Sequence, residues 1–96
     1  MKDPQLQDAV SVVLIVRNGA QYVGAAIESV RNSRRQPLEI IVVDGGSTDA
    51  TAAIAARDPL VRVLAQRSKG IPGAYNEGIA AARGGLVAFI SHDDLW

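Results

Sequence analysis

Cysteine is absent from these 96 residues. That removes disulfides, thiol chemistry and zinc–thiolate sites, and it fits a cytoplasmic protein. Net charge is absent as well. Ten Lys and Arg balance ten Asp and Glu, so nothing argues for a nucleic-acid partner or an anionic membrane surface. The densest basic stretch, Arg31 with Arg34 and Arg35, reads as a solvated helix end whose cations suit the helix macrodipole. No apolar run approaches the ~20 residues of a membrane span. The opening MKDPQLQDA carries acids and a proline where a signal peptide needs an apolar core. Familiar nucleotide and hydrolase signatures are missing too. Arg17-Asn18-Gly19-Ala20 is not the G-x-G-x-x-G turn of a dinucleotide fold, and no G-x-x-x-x-G-K-[ST] loop or G-x-S-x-G elbow occurs.

What is present is ordinary globular material, 48% hydrophobic and 21% charged, in an amount that suits one domain. Residues 1–8 read as a polar leader. VSVVLIV (Val10–Val16) is a near-continuous β-branched run, the pattern of a strand buried on both faces. Asn18-Gly19 breaks it. Val23, Ile27 and Val30 then recur at helical spacing and predict a helix over 20–32. EIIVV (39–43) is a second buried strand, and Asp44-Gly45-Gly46-Ser47-Thr48-Asp49 is a turn. Thr48 or Asp49 can cap the alanine-rich helix that follows to about Arg57, where Asp58-Pro59 stops it. A third strand (61–65), a polar loop (66–70), a third helix with Ile71, Tyr75 and Ile79 on one face, and a fourth strand, LVAFI (86–90), complete the chain. There is no internal repeat and no low-complexity linker.

Alternating short apolar strands and helices predict an α/β fold, an open, Rossmann-like parallel sheet with helices on both faces. Right-handed crossovers place the first two helices on one face. A fourth strand that returns beside the first gives the order 3-2-1-4. Ligands bind such sheets outside the carboxyl ends of the strands, at the switch point between strands one and four. Three segments reach that edge: Arg17-Asn18, residues 44–49 and residues 91–94.

The acids there carry the chemistry. Asp93 and Asp94 follow the fourth strand, where both can turn to one ligand. Two close carboxylates repel, so one is protonated or a cation sits between them. Magnesium and manganese prefer oxygen ligands and often use only one or two protein carboxylates, with phosphate oxygens completing the shell. A surface turn or a helix cap also uses Asp-Asp; the place after this strand favours the cation. Asp44 can accept hydrogen bonds from a base or ribose edge, or simply form its turn. Arg17 can stack on a base or pair with phosphate. Asn18 can hydrogen-bond or take the left-handed turn position. Lys69 can meet phosphate or stay solvated. Tyr75 suits core packing, and His92 reads as a bystander.

These segments together resemble the family 2 glycosyltransferases, inverting nucleotide-sugar enzymes with a GT-A fold. The likeness runs from about Val10 to Trp96, on VSVVLIVRNGAQYVGAAIESV, EIIVVDGGSTDAT, KGIPGAYNEGIAAARGG and LVAFISHDDLW. It implies that Asp44 contacts the nucleotide base, that Arg17 helps form the base pocket, and that Asp93 and Asp94 meet ribose and the divalent cation. The chain departs from the family in four places. Ile15-Val16 stands for the usual Pro-Thr, Gly45 for the second acid of the turn, Tyr75 for a basic residue of the third helix, and Ser91-His92 for the start of the D-x-D-D loop.

The resemblance implies transfer of a sugar from a nucleoside diphosphate donor, most often a uridine one, to a glycan or lipid acceptor. The family's acceptor region and catalytic base lie beyond the metal loop. Residues 9–96 are therefore expected to be the donor-binding half, cut after that loop and inactive alone, with the base beyond Trp96. Two other readings stand beside it: a module that binds nucleotide and metal without catalysis, and an inert α/β remnant. A longer protein with a peripheral membrane association is compatible with all of this. The fourth strand is expected to present an apolar edge through which copies self-associate.

Overall fold

The computed structural model describes residues 8–34 and 36–91. The leader up to residue 7, Arg35, and the segment that holds His92, Asp93 and Asp94 lie outside the described residues. The element order is β1 (Val10–Val16), α1 (Val23–Arg31), β2 (Glu39–Asp44), α2 (Thr51–Ala55), β3 (Val61–Ala65), α3 (Gly70–Ala81) and β4 (Leu86–Ser91). All three pairings are parallel, and the sheet order is β3-β2-β1-β4. The order expected for a fourth strand that returns beside the first is the order observed.

Alternation along the strands divides the core in two. Val12, Leu14, Val16, Ile40 and Val42 face one side and pack with Val23, Ile27 and Val30 of α1 and Ala55 of α2. Val13, Ile15, Ile41 and Val43 face the other and pack with Ala74 of α3 and with Ala82. β1 and β2 are covered on both faces, which is why their sequences are runs of β-branched residues.

The helices differ from expectation at their ends. α1 begins at Val23, not Ala20, because the Gly19 carbonyl first accepts the N–H groups of Tyr22 (2.9 Å) and Val23 (2.8 Å) in a turn. α2 stops at Ala55, short of Arg57, where the bonds tighten to Arg57 N–H on Ile54 O and Asp58 N–H on Ala55 O. Neither Thr48 nor Asp49 is its capping residue; Ala50 occupies that place, and Asp49 acts from one residue earlier by accepting the Thr51 N–H at 3.0 Å. On α3 the buried face is Ala74 and Gly78, whereas Ile71 and Ile79 are exposed. The small residues let the helix settle close against β1. Tyr75 is half-buried at the margin of this layer, its ring edge-to-face with Phe89 at 4.7 Å, so it packs as the core residue its spacing suggests.

Candidate functional site

The strand register brings the loops to one level. Ile15 pairs with Ser91, Val16 with Asp44, and Asp44 with Ala65. Every strand therefore ends within about one residue of its neighbour, and the chain leaves the sheet four times along one edge.

Two of those exits are laced together. Asn18 sits in the left-handed region (φ 51°), a conformation that asparagine tolerates better than most residues. Its Oδ1 accepts the Thr48 N–H at 2.7 Å and the Thr48 hydroxyl at 3.2 Å, while its own N–H donates to Ser47 Oγ at 2.8 Å. The Gly19 N–H donates to Thr51 Oγ1 (2.9 Å) and the Ala20 N–H to Asp49 Oδ2 (3.2 Å). Asp49 also accepts the Thr51 hydroxyl; that bond leads the causes that hold its carboxyl below the usual range. Asn18 thus takes the turn role foreseen for it, with its side-chain oxygen engaged by the neighbouring loop.

Asp44 stands half-buried where β2 ends. Its Oδ1 accepts both the N–H (3.0 Å) and the hydroxyl (2.6 Å) of Ser47. The carboxylate therefore shapes the turn through one oxygen, and its other oxygen takes no hydrogen bond from the described residues. Gly46 continues the turn at φ 90°, where a side chain would be strained.

The third exit, residues 66–70 between β3 and α3, is built as firmly. The Gln66 N–H donates to Asp44 O at 2.8 Å, and Gln66 Nε2 donates to Gly70 O at 2.8 Å. Glu77 reaches back from α3 to take the N–H groups of Arg67 (3.0 Å) and Ser68 (2.8 Å) and the Ser68 hydroxyl. The hydroxyl bond is the main cause that keeps the Glu77 carboxyl low. Between this loop and the other two lies a cavity of about 350 Å³, walled by Arg17, the Gly45-Gly46 backbone, Gln66 and residues 68–70.

The structure brings Arg17, Asn18 and Asp44 to one edge, with Lys69 lining the same cavity as Arg17. Asp93 and Asp94 lie outside the described residues, although β4 carries the chain to the same edge at Ser91. Among the described residues no three His, Asp or Glu converge on one point. Sequence reasoning passed over Gln66, Ser68 and Glu77. Their only signal was polarity within a short loop and a glutamate about two turns into the next helix, and both are common on surfaces.

Residues 11–96 match the model of Glycosyl transferase family 2. Among curated proteins, the EpsH protein of Bacillus subtilis is 40% identical over 90 residues, which are 90% of this chain and 26% of that protein. The succinoglycan biosynthesis protein ExoO of Rhizobium meliloti is 39% identical over 99 residues, 98% of this chain and 28% of the relative. The fold is also that of the mannosyl-3-phosphoglycerate synthase of Rubrobacter xylanophilus, with a TM-score of 0.80 and 32% identity over 93% of this chain and 32% of that one. A glucosyl-3-phosphoglycerate synthase of Mycobacterium tuberculosis, solved with Mn²⁺, uridine diphosphate and glucosyl-3-phosphoglycerate, matches with a TM-score of 0.77 and 29% identity, covering 88% of this chain and 33% of that one. The chain spans between about a quarter and a third of the length of these proteins.

Proposed function

The chain belongs to glycosyl transferase family 2, and from that premise we propose that it holds the donor, a nucleoside diphosphate sugar with uridine as the expected nucleoside, for transfer to a glycan or lipid acceptor. The observation that carries this reading is the convergence of the loops after β1, β2 and β3 on one walled cavity at the carboxyl edge of a 3-2-1-4 sheet. The bound uridine diphosphate of the Mycobacterium tuberculosis neighbour supports the choice of nucleotide.

In this reading Asp44 offers its remaining oxygen to the nucleoside, and Arg17 lies flat against the base or pairs with phosphate. Asn18 keeps the first loop in its turn, and Lys69 offers a cation to the donor. Asp93 and Asp94 would hold a divalent cation, magnesium or manganese. Two adjacent carboxylates after β4 are the hard oxygen donors such ions take, and the Mn²⁺ of the same neighbour supports the assignment. When bound, the cation supplies positive charge against the departing diphosphate.

Inversion also needs a base that takes the proton of the acceptor hydroxyl. No residue of this chain is assigned that role. The 96-residue chain is therefore expected to bind donor nucleotide and to show no transfer by itself; turnover by the purified chain with any donor–acceptor pair would overturn this. Calorimetric titration with uridine diphosphate, with and without manganese, tests the donor site. Metal-dependent binding is the expected result. Absence of binding by a chain that is folded by circular dichroism would sink it in favour of an α/β unit without affinity.

A further inference from the structure

Ser47 stands between two of the converging loops and bonds to both. Its hydroxyl oxygen lies 2.8 Å from the Asn18 N–H and 2.6 Å from Asp44 Oδ1. A backbone N–H only donates, an ionised carboxylate only accepts, and a hydroxyl has one proton to give. The direction of the relay is therefore fixed. Asn18 N–H occupies a lone pair of Ser47 Oγ, and the hydroxyl proton goes to Asp44 Oδ1. The Ser47 N–H adds a second bond to the same oxygen at 3.0 Å.

The last torsion of an aspartate is soft, so a carboxylate at the end of a strand is free to turn. Two donors on one oxygen remove that freedom and set the direction of the other oxygen. A local turn would need only Asp44 and Ser47. Here a third group, 29 positions away in sequence, polarises the hydroxyl and strengthens the bond it passes on. Asn18 also accepts the Thr48 N–H at 2.7 Å, so it grips residues 47 and 48 with both backbone and side chain. Resting on the donor-site reading above, we infer that Ser47 is a positioning residue: its hydroxyl, aligned by the Asn18 N–H, holds Oδ1 of Asp44 so that the other carboxylate oxygen is presented to the donor. Ser47 itself meets no reacting atom and acts through Asp44. The same relay ties the loop that carries Arg17 to the turn that carries Asp44. Groups held in place before a ligand arrives lose less freedom when it binds.

Calorimetry on the 96-residue chain with uridine diphosphate and manganese, carried to millimolar nucleotide, tests this. Ser47→Ala removes the hydroxyl from an exposed turn and should weaken binding about five- to tenfold, the scale of one hydrogen bond, with the circular dichroism spectrum unchanged. Ser47→Thr keeps a hydroxyl and should stay within about twofold of the unaltered chain. Asp44→Ala removes the group through which Ser47 acts. In that background S47A should change the affinity by less than about twofold, because coupled residues are not additive. A merely structural Ser47 would lower both backgrounds alike. Equal affinity of S47A and the unaltered chain, an equal loss in S47T, or a full further loss on adding S47A to D44A would each overturn the positioning role and leave the donor site standing. Absence of binding by the folded, unaltered chain would overturn the donor-site reading and this inference with it.

Discussion

Glu39 opens β2 with its side chain only 4% exposed, and donors reach its carboxylate from three segments. Oε2 accepts the Ser11 hydroxyl (2.7 Å) and the Arg83 N–H (2.7 Å); Oε1 faces Arg62 and Arg83 at 3.2 Å each. Burial by itself raises this carboxyl, but the hydrogen bonds from Arg83 and Ser11 and the two guanidinium charges outweigh it and hold the group below its ordinary range. Both arginine side chains are about half exposed or more, so the ion pairs count for little in water and the buried hydrogen bonds carry most of the effect. Because the folded-state value is depressed, the unfolded chain binds more protons as the pH falls. The stabilisation is thus present above about pH 4.3, the ordinary glutamate value, and is lost as the pH drops through the lower folded one. Glu39→Gln is expected to cost about 1.5–3 kcal/mol at pH 7 and to lose less stability than the unaltered chain between pH 7 and pH 3.5. Urea midpoints at the two pH values check both statements. Asp93 and Asp94 answer to a different test. Replacing Asp93 and Asp94 together with Asn should reduce nucleotide affinity to its metal-free level and leave the circular dichroism spectrum unchanged; manganese-dependent affinity that survives would reject them as the cation's ligands. This scale is where the sequence is least legible. Asp44, Arg17 and Asn18 stand out because each closes or follows an apolar run. Glu39 looks like any polar residue at the head of a strand, and Gln66 like any polar residue in a loop, because what distinguishes them is set by neighbours distant in the chain.

Among the elements, α3 shows how a helix can depend on what it lacks. At Gly78 an added Cβ would lie 3.1 Å from Val13 Cγ2 and closer still to Cγ1. The helix therefore approaches β1 at a distance only glycine permits. Alanine in a helix interior normally gains about 1 kcal/mol over glycine, yet here the clash with a fully buried valine should reverse the sign. We expect Gly78→Ala to destabilise by about 1–3 kcal/mol. Combining it with Val13→Ala should recover part of that loss, so that the double variant is more stable than the sum of the single effects predicts. Chemical denaturation of the four proteins of the cycle decides it, and simple additivity would mean that the helix can shift without cost. The elements themselves were largely legible. β1 and β3 have the bounds their apolar runs predict, and β2 and β4 each extend one residue further. The reason is that a strand buried on both faces writes itself in β-branched residues. The helix ends were less so, because turns at Gly19 and at residues 48–50 use side chains from the neighbouring loop, which no local pattern reports. The face of α3 was misleading for a similar reason: its isoleucines mark a hydrophobic stripe, but the sheet takes the row of small residues beside it.

At the scale of the molecule, the two edges of the sheet are unlike. β3 carries Arg62, whose guanidinium reaches Glu39 and the Ala81 carbonyl, and a charge on an edge strand discourages pairing with another chain. β4 carries no charged residue. Leu86 and Phe89 are each 44% exposed, on opposite faces, and Ala88 is exposed as well. Beside α1 the uncovered face continues into an apolar trough of about 290 Å³ along Val10, Val12, Ala88 and Ile90. An edge strand whose outer side has no partner strand among the described residues, with apolar side chains on both faces, exposes backbone donors and acceptors together with hydrophobic surface, the combination that recruits a further strand or a second copy. No helix among the described residues is long and apolar enough to cross a membrane. The 96-residue chain is expected to self-associate through β4, with a sedimentation coefficient that rises with concentration. Phe89→Lys places a charge on the exposed strand and should shift the population toward monomer at equal concentration, while loss of the edge-to-face contact with Tyr75 should cost about 0.5–1.5 kcal/mol in fold stability. Sedimentation velocity across a broad concentration range decides between the outcomes. A monomer throughout would mean that β4 tolerates exposure, and equal association by F89K would move the contact away from this strand.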